Sequence, residues 1–245
     1  MRPTLLLPLL LSSSLLAQTP PPPAPSTPPT PAAPTSPEGP DIPSIKPNPF
    51  LVAHEQFLKV ARETQPELLF LGDSITAGWN SQKEIWDKYF AAWKPANFGI
   101  SGDRTQHVLW RISNGELDGF TPKAIVLMIG TNNSGSDSAE AIARGVSKIV
   151  KTIREKSPKS KVLLLGIFPR SEKPDATREK LKAVNATLAP LDDRKHIFYL
   201  DIGEKFLQPD GSLSKEIMPD FLHLSQKGYQ IWAEAITPTL QELLK

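Results

Sequence analysis

The sequence predicts a three-layer α/β/α sandwich built on a mostly parallel five-stranded sheet. Beyond Phe50, short apolar runs recur, each followed by a loop rich in Gly, Ser, Asn or Pro. Longer amphipathic runs lie between them, with apolar residues three and four apart. The two kinds of run alternate along the chain instead of segregating, which is the pattern of βα units wound around a parallel sheet.

The strands are expected at Glu67 to Leu71, Ala96 to Phe98, Ala124 to Ile129, Lys161 to Ile167 and Ile197 to Leu200. Between the later ones, Ile142, Val146, Ile149, Val150 and Ile153 keep helical spacing, as do Leu181, Val184, Leu188 and Leu191. Phe50 to Thr64 reads as an opening helix, and Ser225 to Leu244 as a closing helix in which Pro238 removes one amide donor. There is no internal repeat. In a sheet of this kind the functional crevice lies outside the carboxyl ends of the strands.

The first fifty residues do not belong to such a core. Arg2 precedes an apolar stretch from Leu5 to Leu16, and Ala17 opens into polar sequence, so residues 1–17 are expected to be a secretory signal. Leu15 stands where a small residue would make a better cut, which leaves an uncleaved anchor as the alternative. From Pro20 to Pro49, 14 of 30 residues are proline, and residues 18–49 are therefore expected to be an extended, disordered linker. The folded domain is expected over residues 50–245.

Composition excludes several classes of function. The chain of 245 residues has net charge +2 with acids and bases interspersed, so neither a nucleic-acid footprint nor a polybasic membrane patch is expected. It contains no Cys, which excludes disulfides, a thiol nucleophile and lipid attachment through cysteine. His54, His107 and His196 have no partners at metal-ligand spacing, and no metal or cofactor is expected. The expected location is secreted, periplasmic or cell-envelope in a bacterium, with no membrane span once the signal is removed.

Four phrases hold the candidate chemistry: Gly72-Asp73-Ser74, the run Asn97 to Arg104, Gly130-Thr131-Asn132-Asn133, and Asp220-Phe221-Leu222-His223. Ser74, Gly102 and Asn132 follow the first three expected strands, and Asp220 and His223 follow the fifth, so all can meet at one sheet edge. A serine hydroxyl becomes a useful nucleophile when a base removes its proton during attack, and histidine suits that role near neutral pH. Asp220 lies three residues before His223, close enough for one local turn to set the carboxylate beside the imidazole. Acyl transfer also needs donors for the oxygen that becomes negative. The Ser74 amide, the Gly102 amide and the Asn132 side chain could supply them. Asp73 is expected to bond to the loop backbone, and Arg104 either to hold the loop or to face the crevice. Of the five tryptophans, Trp79 alone is considered as a pocket wall, the rest as core.

The segment around Ser74 lacks the Gly-x-Ser-x-Gly elbow of the α/β-hydrolases. It resembles instead the SGNH, or GDSL, hydrolase family, and within it the platelet-activating-factor acetylhydrolase Ib catalytic-subunit group. The likeness rests on Asn97 to Leu117, Gly130 to Asn133, Pro169 to Pro174 and Asp220 to Leu224. It covers about Glu67 to Leu240. It implies a flavodoxin-like sheet, Ser74 as nucleophile, His223 as base, Asp220 as its partner, and an oxyanion hole from Ser74, Gly102 and Asn132. The Gly-Asp-Ser is followed by Ile75 and Thr76 where the family's name has Leu. The expected activity is hydrolysis of short, acetyl-type esters of a small molecule or glycan by an exported serine esterase. Alternatives are a lysophospholipase or platelet-activating-factor-type lipid esterase, and a non-catalytic glycan-binding envelope module. Proteins of this kind can form homodimers.

Overall fold

All five apolar runs are strands in the computed structural model of the protein, which describes residues 39–245. They are β1 (Leu68–Gly72), β2 (Pro95–Gly99), β3 (Ala124–Met128), β4 (Lys161–Leu165) and β5 (Ile197–Leu200). The expected signal and most of the expected linker lie outside the described residues. The α-helices among the described residues are α1 (Phe50–Thr64), α2 (Ser74–Ala77), α3 (Lys83–Phe90), α4 (Thr105–Arg111), α5 (Ala139–Lys156), α6 (Ala176–Leu188) and α7 (Gln226–Leu243).

The sheet is wholly parallel, in the order β2-β1-β3-β4-β5. Gly72 at the end of β1 pairs with Gly99 of β2 on one side and Met128 of β3 on the other. Strand order reverses between β1 and β3, which makes the loops after these two strands the walls of the switch-point crevice.

Alternation along the strands sends side chains to two separate cores. Leu69, Leu71, Phe98, Ile125, Leu127, Val162 and Leu164 pack beneath α1, α4, α5 and α6. Leu68, Phe70, Val126, Met128, Leu163 and Leu165 pack beneath α3 and α7. Parallel strands covered on both faces read as continuous apolar runs, which is why they were visible in the sequence. Trp79 belongs to the second core: it is 1% exposed and packs against Phe90, Tyr229 and Trp232.

Residues 39–49 differ from the solvated linker expected there. Pro40 is buried and its carbonyl accepts a bond of 2.7 Å from Thr105 Oγ1. The Ser44 amide donates to Gln106 O at 3.1 Å, and Lys46 pairs with buried Asp103. Proline content signals an extended backbone, but an extended backbone can lie along a domain as readily as leave it. This strap therefore belongs with the folded part.

Candidate active site

β1 ends at Gly72, where a Cβ would fall 2.1 Å from Thr76 Oγ1 and 2.5 Å from Met128 O. Glycine is thus what lets the chain turn directly from strand into α2. Asp73 caps that helix, its Oδ1 accepting from the Ile75 amide at 2.9 Å. Ser74 becomes the first helical residue, with its hydroxyl outward and its amide among the donors that a helix start leaves unpaired within the helix.

Ser74 Oγ lies 2.9 Å from His223 Nε2, and His223 Nδ1 lies 2.7 Å from Asp220 Oδ2. The other oxygen of Asp220 accepts from the amides of Leu222 and His223, at 3.1 and 2.7 Å. The three-residue spacing thus folds into a turn that locks the carboxylate onto its own imidazole. Burial opposes ionisation of Asp220, but the bonds from His223 and these amides hold its carboxyl below the ordinary range. A hydroxyl so paired can be deprotonated as it attacks a carbonyl, with the imidazolium supported by the carboxylate.

The loops after β2 and β3 meet at the same sheet edge, where Ile100 N also donates to Gly72 O, two residues before Ser74. Asn132 Nδ2 donates one hydrogen to Asp103 O at 2.8 Å, which joins the loop after β3 to the loop after β2 and, among the described residues, leaves the second hydrogen free. Gly102, next to Asp103, has φ of +73° and is exposed. Asn133 is fully buried: its Oδ1 accepts from the Thr105 amide at 3.0 Å and its Nδ2 donates to Gln106 and Asp137.

Several supporting residues were not singled out in the sequence. Arg111 is completely buried; it bonds Asp103 Oδ2 at 3.0 Å, Phe98 O at 3.1 Å and Glu116. It is the charge inside the otherwise apolar run Val108 to Ile112, and that misfit was the available signal. Arg170 donates to Thr131 O and Oγ1 at 3.3 Å, and the Ser171 amide donates to Phe221 O at 2.9 Å. The Pro169 to Pro174 phrase thus braces both the Asn132 loop and the His223 loop. Arg104 donates to Ser136 Oγ at 3.1 Å, and its amide donates to His107 Nδ1 at 3.0 Å. Burial, with Lys46 and Arg104 nearby, pushes His107 down to about 4, so it stays a neutral acceptor there. Among the described residues no cluster of three or more His, Asp or Glu side chains is arranged to hold a metal ion.

Asp73 carries a pH prediction. Burial pushes its carboxyl up to about 7, the Ile75 bond opposing and Asp103 adding to the rise. Between the ordinary value and about 7 the folded chain holds a proton that the unfolded chain has lost, so stability falls as pH rises through that window. Asp73→Asn cannot ionise. Its melting temperature relative to wild type is expected to be higher at pH 8 than at pH 5, read by thermal melts. A difference independent of pH would show that Asp73 does not titrate in this way.

A wholly parallel five-stranded sheet between helices, with Ser74, His223 and Asp220 bonded in a chain at its switch point, has the α/β architecture of the acylhydrolases. The chain belongs to the GDSL-like lipase/acylhydrolase family, whose profile matches residues 70–231, and so is a hydrolase acting on esters. It is 40% identical over 192 residues to platelet-activating factor acetylhydrolase IB subunit alpha1 of Homo sapiens, covering 78% of this chain and 82% of that one. Subunit alpha2 of Rattus norvegicus is 39% identical over 193 residues, covering 78% and 83%. The solved structure of a GDSL-like lipase from Bacteroides thetaiotaomicron superposes with a TM-score of 0.66 at 18% identity, covering 79% and 98%.

Proposed function

We propose that the chain is an exported serine esterase that removes short acyl groups, acetyl above all, from an alcohol oxygen. The observation that carries this reading is the unbroken chain of bonds from Ser74 through His223 to Asp220 at the switch-point crevice. In the proposed cycle Ser74 Oγ attacks the ester carbonyl while His223 Nε2 takes its proton. The amides of Ser74 and Gly102 and the free hydrogen of Asn132 Nδ2 receive the developing oxyanion. His223 returns the proton to the leaving alcohol, which leaves an acyl group on Ser74. Water, deprotonated by the same imidazole, then releases the acid.

Acetyl as the acyl group is supported by the curated relatives, which are named as acetylhydrolases. The same names favour one second reading, in which the alcohol is a platelet-activating-factor-type lipid. The apolar leader of residues 1–17 supports export, and export in turn supports an acetylated glycan as the alcohol. Among the described residues no helix is long and apolar enough to cross a membrane.

The test is hydrolysis of p-nitrophenyl esters from acetate to palmitate by the full chain. Steep decline of kcat/KM beyond acetate is the outcome expected of an acetyl-selective esterase. A preference for long chains would replace the reading by a lipase-type one.

A further inference from the structure

The geometry of the loop after β2 raises the question of what aims the Gly102 amide. Ile100 N donates to Gly72 O at 3.2 Å, and Asp103 N donates back to Ile100 O at 3.1 Å, closing a four-residue turn. Gly102 occupies its third position with φ of +73°, the value a type II turn requires there. The N–H of Gly102 shares one planar peptide unit with the carbonyl of Ser101. In a trans peptide these two groups point in opposite directions. Whatever holds Ser101 O therefore sets the direction of the Gly102 N–H.

That partner is Lys46. Its Nζ donates to Ser101 O at 2.9 Å and stands 2.6 Å from Asp103 Oδ1, while Arg111 Nε grips Asp103 Oδ2 at 3.0 Å. The ammonium is thus fixed between a carbonyl and a buried carboxylate, and its side chain is only 21% exposed. On either side the strap is pinned, by Ser44 N to Gln106 O upstream and by α1 downstream. Lys46, the strap and α1 lie outside residues 70–231, the part matched by the family profile, whereas Ser101, Asp103 and Arg111 lie inside it.

We propose that Lys46 is a positioning residue for the oxyanion hole: its ammonium locks the Ser101–Gly102 peptide with the Gly102 N–H turned toward the space beside Ser74 Oγ. The proposal rests on the esterase reading of the site. A glycine in this position tolerates both turn types, and rotation of the central peptide by about 180° converts type II into type I without moving the turn's ends. In the rotated form the N–H faces away and one oxyanion donor is lost. A cation on Ser101 O opposes that rotation. It also polarises the peptide, which makes its N–H a stronger donor.

The test measures kcat and KM for p-nitrophenyl acetate with the full chain as wild type, Lys46→Met, Lys46→Gln, Lys46→Arg and Ser74→Ala, below the melting transition of each. Lys46→Met is expected to lower kcat about 10–100-fold, up to the loss of one oxyanion donor, with KM little changed. Lys46→Gln, a donor without charge, is expected to fall between, and to carry the comparison where the Met variant does not fold. Lys46→Arg keeps a cation at the carbonyl and is expected to recover most of the loss. A merely structural role would lower the melting temperature and leave kcat per folded molecule intact. Wild-type kcat in Lys46→Met and Lys46→Gln, beside an inactive Ser74→Ala, overturns the assignment of Lys46 alone. Activity that does not depend on Ser74 overturns the esterase reading and this proposal together.

Discussion

Ser74→Ala is expected to lower kcat for p-nitrophenyl acetate by about 10⁴–10⁶-fold while the chain folds as before. Ser74 is half-buried, and the side-chain bond it makes is to His223. Alanine keeps the Cβ, suits a helix start and retains the amide, so the crevice and its donors survive the change. What disappears is the atom that the proposed cycle acylates. Some rate above the uncatalysed reaction should remain from the proposed oxyanion donors. The check is paired: ester cleavage against a thermal melt, and labelling by a serine-directed fluorophosphonate, which should mark wild type at Ser74 and leave the variant unmarked. Cleavage within tenfold of wild type would remove Ser74 from the mechanism.

The second large effect is on stability. Arg111→Met is expected to destabilise the fold by about 3–5 kcal/mol, because removal of one partner leaves buried charge uncompensated. Two carboxylates are left behind, Asp103 and Glu116, both fully buried. Burial raises both, Glu116 to about 7, with Arg111 the main influence pulling each back down. Without the guanidinium they hold protons in the fold more strongly still, so the deficit should grow from pH 5 to pH 8. For a domain of this size the loss corresponds to about 6–20 °C in melting temperature. Thermal melts at the two pH values provide the measurement. A deficit that shrank as pH rose would contradict the burial of ionised carboxylates around Arg111. Because Asp103 also anchors the Gly102 turn, kcat should fall with stability.

The parts legible in the sequence were those governed by local pattern. β3 and β4 announced themselves because both their faces are buried, and the Asp220–His223 turn because its bonds span three residues. Strand ends were less legible. β4 was expected to run to Ile167, yet it stops at Leu165, where β5 stops too and Gly166 N makes the last bond, to Leu200 O. α3 has only eight residues, too few for a periodicity to stand out. Arg111 was invisible as a brace because its partners include Asp103 and the carbonyl of Phe98, brought beside it only when the sheet forms. The strap was hidden for a different reason. Its prolines match those upstream, and composition cannot tell a chain that leaves the surface from one that follows it.

The strap bears on the modularity of this activity. A recombination joint or proteolytic cut just before Phe50 would spare all four motif phrases and every strand. It would nevertheless sever the carbonyl of Pro40 from Thr105 and take Lys46 away from Asp103. A piece that keeps these contacts therefore includes the strap from Pro40 onward, inside sequence that otherwise looks like spacer. Lineages that exchange leaders and spacers would be expected to find the interchangeable boundary upstream of that point.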